Sequence, residues 1–426
     1  MFRHCAISLS GLRLATVMAN HALLAEDWSP FWTTATLSQP RFGCDWRWRR
    51  RLRLFAAFVA SVAALMVGGA RADSWSTGTL SQARDELAAT SVGNSVLFAG
   101  GNPDASSASN VVDIYHTANG TWSTAQLSLA RCELEGASAD GKALFAGGFS
   151  FQTGRATDVV DIYDASSNTW STAHLSEARQ NLAAASAGDE VFFGGGKASD
   201  CSNAVDIFDT SSSTWSTAHL SQARCWLAAA SADGKVVFAG GWNASGASNV
   251  VDIYDTHTGV WTTAALSQAR DSLAATAADG KVFFGGGGTG VYGYSPSDVV
   301  DIYDVSSNSW SVAHLSEARS ELSATCIGTK VFFAGGLDGN DQASNIVDIY
   351  DTVTDTWSVS TLSQEHSYFA AASAGNMAFF AGGSSRTMYA TSLVDIYTVP
   401  EPSALILLGI GTIGLFGYAW QRRRAS

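Results

Sequence analysis

One sequence block recurs seven times and limits the fold before any other property is considered. A full copy, WSTAHLSEARQNLAAASAGDEVFFGGGKASDCSNAVDIF, spans 170–208. Its opening Trp returns at 75, 122, 170, 215, 261, 310 and 357, with spacings of 47, 48, 45, 46, 49 and 47 residues. A Gly-Gly pair returns with it, from Gly100-Gly101 to Gly382-Gly383. A Val-Asp-Ile-aromatic block closes on Tyr115, Tyr163, Phe208, Tyr254, Tyr303, Tyr350 and Tyr397. A period in the mid-forties belongs to propellers and repeat arrays. Each unit holds four short strand-like runs separated by Gly, Asp, Asn and Ser; in the third copy these are 170–175, 182–186, 191–193 and 204–208. No unit contains a helical run, so each should supply one four-stranded antiparallel sheet, a propeller blade. Length alone, 426 residues, would suggest two or three domains. The repeat gathers 73–398 into one all-β ring instead.

Gly-Gly, then Tyr about a dozen residues on, then Trp resembles the kelch repeat. The aromatic precedes the next Trp by seven residues in all six cases, from Tyr115 and Trp122 to Tyr350 and Trp357. Kelch repeats often carry Pro in the loop before the Arg; this chain has Ser-Gln-Ala-Arg or Ser-Glu-Ala-Arg, and the seventh unit has His366 in place of Arg. The resemblance implies a strand order of inner strand after the Arg, second strand ending at Gly-Gly, third carrying Tyr and outer carrying Trp. Trp75 has no Tyr strand before it and Tyr397 no Trp strand after it. The stretch 75–80 should therefore be the outer strand of the last blade, leaving no free edge where the ring closes. Seven blades are expected.

The chain ends carry targeting features. Residues 1–46 include FWTTATLSQPR at 31–41, which echoes WTTAALSQAR at 261–270, but no Gly-Gly or Tyr accompanies it, so no eighth blade is expected. The leader 1–72 contains an Arg-rich stretch at 47–53, an apolar core at 54–67 and Ala70-Arg71-Ala72, the parts of an internal signal peptide cleaved after Ala72. An uncleaved anchor is the alternative. At the other end, Val399-Pro400-Glu401-Pro402-Ser403, an apolar segment 404–420 and Arg422-Arg423-Arg424 resemble a PEP-CTERM sorting signal across 399–424. That resemblance implies a Gram-negative envelope protein, a transmembrane helix over 404–420 and processing by an exosortase-type enzyme, so that membrane insertion is transient. A permanent tail anchor is the alternative. Seventeen residues are at the short limit for a span.

The stretch 73–398 holds thirteen basic and thirty-four acidic residues, a net charge near −21. Such a surface repels nucleic-acid phosphates, and no nucleic-acid partner is expected. Four cysteines lie in the ring. Cys132 and Cys225 share a repeat position in non-adjacent blades, too far apart to bridge, and no other pairing stands out. His174, His219 and His314 all sit four residues after a repeat Trp, so they should lie on separate outer strands. No metal ligand set and no cofactor is expected. The Asp of Val-Asp-Ile and the recurring Arg84, Arg131, Arg179, Arg224, Arg270 and Arg319 read as scaffold, with Arg bonding loop carbonyls or pairing with an Asp.

Function should sit where the copies differ. Two phases vary most. The second residue after the Arg is Glu86, Glu133, Asn181, Trp226, Ser272, Glu321 and Tyr368; the residue after Gly-Gly is Asn102, Phe149, Lys197, Trp242, Gly288, Leu337 and Ser384. In ligand-binding kelch propellers these phases line the mouth of the central channel. Carried over by position, the candidate binding rim is Glu86, Glu133, Asn181, Trp226, Glu321, Tyr368, Asn102, Phe149, Lys197 and Trp242. Aromatic faces beside Glu and Asn suit sugar or peptide. The expected function is an exported, non-enzymatic binding or scaffold propeller whose partner is envelope polysaccharide or a surface protein. The alternative is a kelch-fold sugar-active enzyme. A copper radical oxidase would need converging Tyr and His ligands; an N-acetylneuraminate epimerase would use polar rim residues such as Glu86, Glu133, Glu321 and Arg386.

Overall fold

The computed structural model describes residues 72–290, 295–385 and 389–400. The leader, with its apolar core 54–67, and the segment 404–420 lie outside these. Among the described residues there is no helix, and so none long and apolar enough to cross a membrane. The strands form seven four-stranded antiparallel sheets, with short two-stranded hairpins in three of the loops. The first blade runs Ala88–Val92, Ser95–Ala99, Val111–His116 and Thr121–Gln126 from inside to outside. The seventh runs Ala370–Ala374, Met377–Ala381, Leu393–Thr398 and then Ser74–Thr79. The first strand in the chain thus completes the last blade, with Trp75 opposite Tyr397.

The constant seven-residue step from Tyr to Trp is a hairpin register. Tyr163 faces Trp170 across a turn, and the equivalent pairs face each other in every blade. Their ring centroids lie 4.9–5.1 Å apart in all seven. The turn is set by its polar residues. Asp164 Oδ1 accepts the Ser166 N–H at 2.9 Å, and Asn168 takes a left-handed φ of 54°.

The core lies between blades. Buried apolar residues fall into seven clusters, each built from two neighbouring sheets, such as Val96 and Phe98 against Phe379 and Ala381. The second strands supply the bulk: Phe98, Phe145, Phe192, Phe238, Phe284 and Phe333 are fully buried. Each contributes about 1.5–3 kcal/mol. The Gly pairs stitch blade to blade. Gly100 and Gly101 have φ of 68° and 97°, and a Cβ on Gly100 would lie 2.5 Å from the Arg131 carbonyl oxygen of the next blade. Gly383 N–H donates to the Arg84 carbonyl at 2.8 Å, the same stitch where the ring closes.

Candidate functional site

Six of the seven blades are entered through a loop that an Arg holds down. Arg84 is fully buried and donates to the carbonyls of Gly100 and Val111, both at 2.7 Å, and to the Asp113 carboxylate. The other Asp113 oxygen accepts the Ser81 N–H at 2.9 Å, so one carboxylate fixes both ends of the loop. Buried Arg–Asp pairs recur at Arg131–Asp161, Arg179–Asp206, Arg224–Asp252, Arg270–Asp301 and Arg319–Asp348. These residues are scaffold, as their repetition implies. In the seventh blade His366 is 3% exposed and its Nδ1 has no hydrogen-bond partner among the described residues.

The same loops bring the two variable phases together. The residue directly after each Arg bridges, backbone to backbone, to the residue after Gly-Gly; Cys225 and Trp242 exchange hydrogen bonds of 3.0 and 2.7 Å. The next residue is the variable one, and in all seven blades it has a left-handed backbone: φ is 49–53° at Glu86, Glu133, Asn181, Trp226, Ser272, Glu321 and Tyr368. Six N–H to C=O bonds of 2.8–3.1 Å join these seven residues into an arc around the axis. Glycine would adopt that backbone freely, whereas other residues are strained by about 1 kcal/mol each. None of the seven is glycine.

Six of the ten candidate residues line one cavity of about 1130 Å³: Glu86, Lys197, Trp226, Trp242, Glu321 and Tyr368. They come from five blades. Four candidates lie elsewhere. Asn102 donates to Glu86 at 2.6 Å and Asn181 to Glu133 at 2.9 Å, holding those carboxylates in place. Phe149 packs edge-on against Phe151 at 5.2 Å. Arg386 lies outside the described residues. His174 and His314 stand on separate outer strands, largely exposed and each 3.1 Å from an Asp.

Several wall residues were not among those candidates. Asp271 is 6% exposed, and Ser272, Ser320 and Asp341 complete that side. Away from that wall, Glu135 replaces the usual Ala at the start of an inner strand. Cys201 and Cys225 form a disulfide, with Cα atoms 5.2 Å apart, and both line the cavity. This corrects the expectation that no pairing existed. Comparing like positions hid it, because the Gly-Gly loop of one blade rests on the Arg loop of the next: Gly196 N–H donates to the Arg224 carbonyl at 2.9 Å. Cys132 and Cys326 are free.

The electrostatics of the mouth are those of crowded acids. Burial, then repulsion from Glu133, Asp85 and Glu321, pushes Glu86 up to about 7. Burial pushes Glu321 to about 7 and Asp271 to about 6, and, outside the cavity lining, Glu135 to about 7. Burial also raises the Tyr368 phenol, with Glu321 and Glu86 adding to it. The Lys197 ammonium lies 5.1 Å from the centre of the Trp226 ring.

No curated protein sequence matches the chain. Among solved structures, one titled "Structure of YjhT" is similar at 15% identity and a TM-score of 0.53, over 67% of this chain and 99% of that one. At that identity the likeness concerns the fold alone. The KLHDC2/KLHL20/DRC7 Kelch-repeats domain matches residues 137–317, the Kelch motif 318–361, and the PEP-CTERM protein-sorting motif 398–424. Taken with seven sheets in kelch strand order, these matches place the chain among the kelch-repeat β-propellers, as one that carries a bacterial PEP-CTERM sorting motif behind its last blade.

Proposed function

We propose that this propeller is an exported binding protein of the bacterial envelope or its surrounding matrix, which holds envelope polysaccharide or a surface protein in the rim cavity. One observation carries the reading: seven side chains are kept on strained left-handed backbone at the phase whose backbone bonds form the arc around the axis, and four of the six cavity-lining candidates are among them. Strain held at a position whose side chain varies from copy to copy motivates a functional reading. The sorting motif supports export, and with it handling by an exosortase-type enzyme. The Cys201–Cys225 disulfide suits an oxidising compartment. Cleavage after Ala72 and brief anchoring through 404–420 belong to the same proposal. Polysaccharide is favoured by Trp226, Trp242 and Tyr368 beside Ser272, Ser320 and Asn243, since aromatic faces and hydroxyl partners together suit a sugar ring.

Immobilised native envelope polysaccharide should retain the purified full chain, and Trp226→Ala should weaken retention roughly thirtyfold. Undiminished retention by Trp226→Ala and Trp242→Ala would remove the cavity from the account. A sugar-active enzyme is the second reading, supported by Glu86 and Glu321 carboxyls near 7, where a side chain both gives and takes protons at neutral pH. It predicts faster anomer or epimer exchange of N-acetylneuraminate in NMR spectra, abolished by Glu321→Gln.

A further inference from the structure

The cavity wall carries five carboxylates, Glu86, Asp200, Asp271, Glu321 and Asp341, against one cation, Lys197. Crowded acids alone do not make a site. Asp271 adds a separate observation: it is 94% buried by its 6% exposure, it faces the cavity, and its Oδ1 has no hydrogen-bond partner among the described residues. A buried carboxylate oxygen without a donor is costly, and a ligand that brings a donor removes the cost. The donor set does not suit a metal ion, because no three His, Cys, Asp or Glu among the described residues group as metal ligands would. Serines and Asn243 share the wall with Trp226 and Tyr368, the surroundings of a ring with hydroxyls. Lys197 already sets an ammonium against the Trp226 face.

We infer that the cavity recognises a cationic amino sugar, a saccharide whose protonated primary amine meets the carboxylates of Glu86, Asp271 and Glu321 while its ring lies against Trp226 and Tyr368. This deepens the polysaccharide-binding reading and rests on it. Anionic sugars are repelled by the same wall, and neutral N-acetylated sugars leave Asp271 without a charged partner. An ammonium beside carboxyls that titrate near neutrality also displaces their protons, so binding at pH 6.5 releases protons to the buffer.

The test is calorimetry on the purified full chain with four tetramers: β-1,4-linked glucosamine, its N-acetylated counterpart, a uronic acid and lysine. Glucosamine tetramer should bind roughly ten- to a hundredfold more tightly than the N-acetylated form, with proton release. Asp271→Asn and Glu321→Gln, nearly isosteric, should each shrink that preference; Trp226→Ala should weaken both tetramers. Equal or tighter binding of the N-acetylated tetramer, still lost in Trp226→Ala, overturns the amine assignment and leaves polysaccharide binding standing. Tetralysine binding tightest overturns it in favour of a basic peptide. No binding of any tetramer or of native polysaccharide overturns both.

Discussion

Six blades and the seventh hold the same loop with different chemistry. In the six, a fully buried guanidinium bonds two carbonyls or more and an Asp on the third strand. In the seventh, His366 stands in that place, and Asp395 keeps the Ser363 N–H at 3.1 Å but no Arg. The seventh sheet nevertheless has four strands, one of them from the far end of the chain. So the Arg is not what makes a blade. Its absence coincides with a gap in the rim. The N–H to C=O arc runs from Glu321 through Ser272, Trp226, Asn181, Glu133 and Glu86 to Tyr368, and no such bond joins Tyr368 N–H to Glu321. Both residues beside the gap line the cavity. Regular chemistry fixes the ring, and the one irregular loop stands at the wall where a ligand would enter.

The contrast is tested hardest by taking an Arg away. Arg131→Met leaves Asp161, 2% exposed, with only the Ser128 N–H at 2.9 Å. Removing one partner of a buried pair should cost about 3–5 kcal/mol, read as a drop in the urea midpoint. A loss below about 1 kcal/mol would mean that blade 2 depends on its Arg no more than blade 7 does on His366.

Putting an Arg where it is missing should act in the other direction. His366→Arg gives Asp395 a buried charged partner and should add about 1–2 kcal/mol. It should also change the acid limb of the stability curve. Burial holds the His366 pKa below its ordinary value of 6.5. The unfolded chain therefore takes up that proton first, so stability present above 6.5 is lost as pH falls through the folded value. With Arg this loss disappears. A steeper acid limb in the variant would show that the position cannot seat a guanidinium.

The cavity acids have the opposite sign. Glu86 and Glu321 titrate near 7 and Asp271 near 6, above their ordinary 4.5 and 3.8. The folded state holds protons that the unfolded chain has released. Their contribution is intact below the ordinary values and declines as pH rises from about 4.5 to about 7. Glu321→Gln should flatten the decline between pH 5 and 7.5 in thermal melts. An unchanged slope would mean that Glu321 is solvated like a surface carboxylate.

Much of this was legible from residue order. The Tyr-to-Trp step of seven is a hairpin register, and a missing strand at each chain end is a closing blade; both are local arithmetic on the repeat. The variable phases were legible too, because scaffold residues repeat and others need not. Which variable residues meet was not. Blades at different angles about one axis share a phase without sharing a neighbourhood, so Phe149 and Trp242 read alike and lie apart. The Cys201–Cys225 bridge joins unlike phases of adjacent blades, which only the stacking of one loop on the next reveals. The left-handed rim was hidden for a different reason: Glu, Trp and Tyr do not announce a positive φ as Gly or Asn would.

That hidden rim supplies the smallest effect. Ser272 joins the arc through its backbone, its N–H donating to Trp226 at 3.0 Å and its carbonyl accepting from Glu321 at 3.1 Å, while its hydroxyl donates to the Glu321 carboxylate. With φ at 49°, Ser272→Gly removes a clash between Cβ and backbone and should gain up to about 1 kcal/mol in a Glu321→Gln background, where the Ser272 hydroxyl no longer serves a carboxylate, offset in part by the greater freedom of unfolded glycine. Ser373, inside the extended inner strand of blade 7, is the control. There the same substitution should lose about 0.5–1 kcal/mol. A gain at 272 with a loss at 373 means that glycine is the more stable choice at the rim. The seven side chains found there are then kept against stability, and what they do must be done for a ligand. A loss at both positions would make the rim ordinary loop, and the cavity would have to be argued from its acids and aromatics alone.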